Sequence, residues 1–482
     1  TPPAKPGVAS RPTGNLIKDP LTTKNLTASA LTQLFNTTDP DFSQVAATPK
    51  CGVRVEYMQY DTVDVKGNKT DATGAVFIPT GTDASCSGNR PIVLNAHGTA
   101  TTKAYNFVEI GNANNEAGPA AALFAGQGYV VISPNYAGYD KSSLAYHPYL
   151  NAQQQSREMA DALKAGREVV RRTGSATNVA DNGKLFITGY SQGGYVTMAT
   201  TRYLETLKEP VTAALPISGP YAMEAFGDVV FGGKVMLGAT FFVPLMARNY
   251  QEQYGNIYTK PSDMFAPANA DEIPSLLPSA SMTDMQLISS GKLPASAMFQ
   301  KAPTGNSTLD AISPSDPAFS FGFDTTHYLV KNDYRLGYLA DAQKNIDWAV
   351  PYLQGNTNYS PVPATAPEHP LRKALKANDL RGYLPTMPVI MCGGNQDPVV
   401  FFDVNSSLMK TLWDTDTNKT STTKLGIIDI DITNRATRQK PVYQTLGFDT
   451  VNNNSIQSQS EKMQAGFASK VQNIAANAAA NG

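Results

Sequence analysis

Lys184-Leu185-Phe186-Ile187-Thr188-Gly189-Tyr190-Ser191-Gln192-Gly193-Gly194-Tyr195 is the stretch whose reading decides the fold class. Its first five residues form an apolar run suited to a strand, and a helical pattern follows over 195–207. Between them stands G-x-S-x-G. A strand that turns sharply into a helix is the setting of a nucleophile elbow, in which a serine is held on a strained turn with Oγ exposed above a sheet. Gly189 and Gly193 suit the crowding of backbone at such a turn. The plainer reading is an ordinary glycine-rich strand-to-helix turn; the flanking strand and helix favour the elbow.

Outward from this turn the rhythm repeats. The runs 91–96 (PIVLNA), 129–133 (YVVIS), 211–218, 387–392 (MPVIMC) and 425–430 lack polar alternation, as expected of strands buried on both faces. A long helix is predicted over 151–173, with Met159, Leu163, Val169 and Val170 on its apolar face. Arg157, Glu158, Arg171 and Arg172 are read on its wet face, and Gly174 as its end. Further helices are predicted over 404–413 and 456–480. This alternation predicts an α/β fold with a mostly parallel, doubly wound sheet. Strands at 53–61 and 74–79, joined by a turn at 65–68, form a predicted hairpin.

Residues 1–50 read as an N-terminal arm with one short helix over 28–35. Residues 51–220 and 377–482 form the two parts of the α/β core, and 221–376, rich in Pro and Met, form an inserted helical cap. Cys51 and Cys86 bracket the hairpin and are predicted to form a disulfide, leaving Cys392 as the odd thiol.

Ester chemistry at Ser191 needs two amides aimed at the developing oxyanion, each contributing roughly 3–4 kcal/mol in the transition state. One is the amide of Gln192. The other belongs to Asn95-Ala96-His97-Gly98-Thr99, on the loop after an earlier strand; Thr99 is taken as the donor, and the sequence does not separate it from Gly98. His97 and Gly98 are read as support for this loop. The acid is expected on the loop Gly393-Gly394-Asn395-Gln396-Asp397-Pro398, where Asp397 is chosen and Asp403 stands second. A carboxylate there can hold an imidazole in one tautomer; the competing reading is a cap for the following helix. The chain order of such sites is serine, acid, histidine. His97, His147, His327 and His369 all precede Asp397.

These residues resemble the α/β-hydrolase superfamily, and within it the secretory lipases and related bacterial carboxylesterases. The resemblance rests on 95–99, on 128–138 (GYVVISPNYAG), on His147-Pro148-Tyr149, on the elbow and on the loop 393–398, and it covers about half the chain. It implies ester hydrolysis through Ser191 and Asp397 under an apolar cap, with His147 structural. It also implies a further segment beyond the last helix that brings the histidine, and often a cysteine, to the site. The chain is therefore expected to be truncated at its C-terminus; otherwise a cap histidine such as His327 serves, or catalysis is lost.

The whole sequence bounds these expectations. Its 482 residues carry 39 basic and 40 acidic groups for a formal charge of -1, which gives no footprint for nucleic acid or an anionic membrane. Charged residues are 16%, below the about 25% of ordinary domains. Apolar residues are 41%, with 19 Phe and 22 Tyr, which excludes general disorder. The apolar run 235–247, interrupted by Pro244, is too short to span a bilayer. With Met264, Phe265, Leu276, Leu277 and Met298 it is read as the acyl-facing part of the cap or as its packing. No metal cluster or nucleotide-binding glycine motif appears, so no cofactor is implied.

The chain opens Thr1-Pro2-Pro3, read as a mature terminus, and a secreted or periplasmic location is expected. The expected protein is a secreted serine esterase or lipase acting on a small apolar ester or lipid. A polyester depolymerase, a peptidase or a non-catalytic binding protein on the same scaffold are the alternatives.

Overall fold

A computed structural model describes residues 12–43, 46–312, 314, 317–420, 423–431, 443–444 and 456–481. The strands are β1 (Leu21–Leu26), β2 (Gly52–Val63), β3 (Lys69–Thr80), β4 (Gly88–Ala96), β5 (Val130–Pro134), β6 (Val179–Tyr190), β7 (Ala213–Ile217), the two-residue β8 (Phe299–Gln300) and β9 (Phe323–Asp324), β10 (Val389–Gly393), β11 (Leu425–Asp429) and β12 (Tyr443–Gln444). The helices are α1 (Ala28–Thr38), α2 (Pro40–Ser43), α3 (Ala117–Leu123), α4 (Ala152–Thr177), α5 (Gln192–Thr206), α6 (Met223–Phe231), α7 (Ala239–Tyr254), α8 (Asp284–Ser289), α9 (Ser307–Ala311), α10 (Asn332–Lys344), α11 (Ala349–Leu353), α12 (Pro370–Ala377), α13 (Leu408–Thr415) and α14 (Ile456–Asn481).

One sheet runs in the order β1-β2-β3-β5-β4-β6-β7-β10-β11-β12. Its centre, from β5 to β11, is parallel, and antiparallel strands close both ends. The unalternating runs are explained by burial on both faces. In β5, Val130 and Ile132 pack with α4, while Val131 faces the other way into a second apolar cluster with Leu31 of α1 and Ala117 of α3. A fully buried aliphatic side chain of this kind contributes about 1.5–3 kcal/mol. The predicted hairpin is β2–β3, paired from Gly52↔Thr80 to Val63↔Lys69. The Cys51–Cys86 disulfide is present across its open end, with a sequence separation of 35. By loop entropy such a bridge stabilises by about 3–4 kcal/mol. Cys392 is a free, buried thiol.

Several expectations are corrected. The N-terminal arm contains β1, which pairs with β2 and extends the sheet; its polar run LTTKNL hides a strand. Helix α4 passes Gly174 and ends at Thr177, where Asn178 takes the left-handed conformation and its N–H bonds to Gly174 O. Glu158, assigned to the wet face, is fully buried: Ala137 N and Gln154 Nε2 donate to its carboxylate at 2.8 and 3.0 Å. Two polar partners outweigh the charge pattern. Helix α5 begins at Gln192, directly after the serine, rather than at Tyr195. The segment between β7 and β10 is helical as expected but holds the short parallel pair β8–β9. Among the described residues no helix is long and apolar enough to cross a membrane.

Candidate active site

The turn between β6 and α5 carries Ser191 at φ 58°, ψ -119°. For a residue with a Cβ this is strained backbone, worth about 1–3 kcal/mol, and it persists only where the surroundings enforce it. Here Ser191 N donates to Ile217 O of β7 at 2.9 Å, and Ser191 O accepts from Gly194 N and Tyr195 N. A Cβ on Gly189 or Gly193 would fall on the Ala96 carbonyl at the end of β4, so both positions require glycine. The elbow geometry read from the sequence is thus formed by its neighbours in three strands.

The loop after β4 lies against this turn. Gly98 N donates to Glu116 Oε1 at 2.8 Å, so that amide is already engaged. The Thr99 and Gln192 amides make no hydrogen bond among the described residues. Thr99 Oγ1 and Tyr149 Oη are 2.7 Å apart. His97 is fully buried, stacked between Tyr105 and Tyr136 with centroids at 4.3 and 4.1 Å. Its Nδ1 and Nε2 face the carbonyls of Gly98 and Asn135, and burial pushes the imidazole down to about 4. His147 is buried against Tyr136 and Tyr139, with Nδ1 at 3.0 Å from Ala137 O and Nε2 at 2.6 Å from Gln192 Nε2. Neither histidine is bonded to Ser191 or Asp397.

Asp397 follows β10. Its Oδ1 accepts from Val399 N at 2.9 Å and Val400 N at 3.1 Å, and Oδ2 has no partner among the described residues. The carboxylate therefore caps the next turn while keeping one oxygen free, and burial raises its pKa. Asp403 opens the turn Asp403–Ser407 that leads into α13. His327 lies in the loop after β9, where its N–H donates to Asp324 Oδ1 at 2.8 Å. His369 caps α12 with its ring against Tyr334 and Tyr338.

A pocket opens beside Ser191. Its walls come from α6 (Met223, Phe226, Val230, Phe231), from Met236, from α7 (Phe242, Val243, Met246), from Met298, and from Val399 and Val400, two and three residues past Asp397. Part of the apolar run 235–247 thus faces the serine, whereas Met264, Phe265 and Leu277 are buried in the core. No group of three or more metal-ligating side chains occurs among the described residues.

Glu116 is the residue of this site that the sequence did not reveal. It stands 18 positions from Gly98 in a loop with no motif, so only the fold brings it there. Burial pushes its carboxyl up to about 7 from an ordinary 4.5. A raised carboxyl favours the folded state fully below the ordinary range, and that contribution is lost as pH rises through about 7. Glu116→Gln keeps the oxygen that receives Gly98 N–H but cannot ionise. It should stabilise the protein more at about pH 8 than at about pH 5, by about 2 kcal/mol. Urea titrations at the two pH values check this, and an equal effect at both would contradict it.

Comparison with known proteins fits this geometry. The chain aligns with crystal structures of the rice cell wall degrading esterase LipA from Xanthomonas oryzae at 25% identity and TM-score 0.65, covering 88% of this chain and 92% of that one. It aligns with a Legionella pneumophila protein assigned as a hydrolase at 19% identity and TM-score 0.60, covering 83% and 89%. The profile of the prolyl oligopeptidase family matches residues 117–240. A search of curated protein sequences found no match. The chain has the α/β-hydrolase fold. In this α/β-hydrolase, Ser191 stands at the C-terminal end of β6, and Asp397 follows β10, two strands along in the same sheet. The profile match spans the elbow and α6, ends at the start of α7, and stops short of Asp397.

Proposed function

We propose that the protein is a secreted serine hydrolase of carboxylic esters, of the esterase or lipase type. The observation that carries this reading is Ser191, strained on its turn in the wall of a pocket lined mainly by Met, Phe and Val. In this reading Ser191 Oγ attacks the ester carbonyl and forms an acyl-enzyme. The Gln192 and Thr99 amides receive the oxyanion, with His97, Gly98 and Glu116 shaping the loop. Asp397 Oδ2 orients an imidazole that takes the proton from Ser191 and returns it to the leaving alcohol. Segment 221–376 acts as a cap whose methionines adapt to the acyl chain. The similarity to an esterase over 92% of its length supports ester over amide cleavage. The profile match supports a peptidase as the second reading, over 117–240 alone. The disulfide and the low charge density support an oxidising, extracytoplasmic location.

The test is fluorophosphonate labelling of the protein from its native source, followed by intact mass and peptide mapping. One adduct on the peptide that contains Ser191 is expected. Absence of any adduct at full exposure to the reagent would sink the hydrolase reading.

A further inference from the structure

The pocket beside Ser191 has three polar side chains in its wall, Tyr149, Ser191 and Gln192; the rest is hydrocarbon and thioether. Tyr149 Oη is engaged with Thr99 Oγ1. Gln192 is 1% exposed, and its carboxamide is held on one side only, by His147.

The chemistry of that contact fixes which atom is left over. His147 Nδ1 lies 3.0 Å from the Ala137 carbonyl, which can only accept, so Nδ1 carries a proton. Burial pushes the imidazole down to about 3, so the ring is neutral and its Nε2 is a bare acceptor. Gln192 must offer it an N–H; the flipped amide would set two lone pairs against each other at 2.6 Å. Gln192 Oε1 is therefore an acceptor, buried, and without a hydrogen-bond partner among the described residues. An unmade bond at a buried acceptor is costly, so a molecule that brings a donor to it gains affinity.

We propose that Gln192 Oε1 is a substrate subsite that receives a hydroxyl or amide N–H carried on the acyl chain within a few carbons of the scissile carbonyl. The inference rests on reading this pocket as the acyl site of Ser191, and it goes further by naming the acyl chemistry. Acyl groups bearing a donor close to the carbonyl are selected over plain fatty acyl groups of the same length. Position gives the reason: Gln192 directly follows the nucleophile and lines the same pocket, so a donor that meets its carboxamide is carried within a few atoms of the carbonyl that Ser191 attacks.

Calorimetric binding of three acids to the whole chain tests this: octanoate, 3-hydroxyoctanoate and N-hexanoylglycine. Octanoate has no donor, the second offers a hydroxyl and the third an amide N–H. At least one donor-bearing acid should bind about tenfold more tightly than octanoate, and which one does so distinguishes the two sources. Gln192→Met has similar length and no acceptor, and should level the three affinities; the unmodified comparison stands even if that variant folds poorly. If octanoate binds and neither donor-bearing acid binds better, or if the preference survives in Gln192→Met, the subsite is refuted. If none of the three binds, the acyl-site reading itself falls, and the subsite with it.

Discussion

Ester hydrolysis by the 482-residue chain should be slow and should rise by about 10²-fold when tens of millimolar imidazole are added. The expectation follows from what surrounds Ser191. The elbow, the two free amides and the apolar pocket are assembled, and Asp397 keeps one carboxylate oxygen unengaged. The four histidines are committed elsewhere: His97 and His147 are neutral and tied to backbone carbonyls, and His327 and His369 lie among cap residues. Loss of the histidine from such a triad costs on the order of 10⁶ in turnover, about as much as loss of the whole triad. A positioned general base contributes roughly 10²–10⁴, and a freely diffusing imidazole recovers the lower part of that range. Imidazole also attacks activated esters unaided, so the measurement is the difference between the chain and its Ser191→Ala variant in identical buffer. A rate in which the two proteins respond equally to imidazole would remove Ser191 from the chemistry. Asp397→Ala should weaken the rescue, because the added ring then lacks its orienting carboxylate.

What was legible in the sequence follows from how local each feature is. The strand–turn–helix at Ser191 was readable because its requirements, two close-packed glycines between a strand and a helix, all lie within a dozen residues. The central strands were readable because burial on both faces forces continuous apolar runs, as at 91–96 and 129–133. The Cys51–Cys86 bridge was readable because the two cysteines flank one hairpin. Contacts made across the sheet left no local trace. Glu116 reaches Gly98 only once α3 has packed, and Glu158 looks like a surface residue until Ala137 and Gln154 are brought to it. β1 leaves no apolar pattern because its six residues are exposed or half-buried, and it joins the sheet through backbone pairing with β2. The choice between Gly98 and Thr99 as donor could not be made from sequence; the bond from Gly98 to Glu116 is what favours Thr99.

Arg372→Met should cost about 3–5 kcal/mol of stability, read from urea or thermal unfolding. Arg372 is fully buried on α12, and its guanidinium ties three helices together. Nε and Nη2 donate to Asp228 of α6 at 2.9 and 2.8 Å, Nη1 donates to Asp341 of α10 at 3.0 Å, and Nη2 lies 3.3 Å from Glu224 of α6. Removing the cation leaves these carboxylates facing one another away from water. Burial already raises Glu224 to about 8 and lifts Asp228 as well, while Arg372 opposes both shifts. Without it both acids would rise further, so stability in the variant should be lost as pH rises and partly regained as they protonate at lower pH. The deficit should therefore shrink between about pH 8 and about pH 5, the sign expected of raised carboxyls. Adding Asp228→Asn should recover part of the loss, since the neutral amide no longer leaves a bare charge, and the two effects should be non-additive. Helices α6 and α12 also carry Met223, Phe226, Val230, Phe231 and Leu375 into the pocket wall. The variant should therefore bind octanoate more weakly even where it remains folded. A loss below about 1 kcal/mol, or one independent of pH, would mean that packing alone holds these helices and that the guanidinium is no more than a filler.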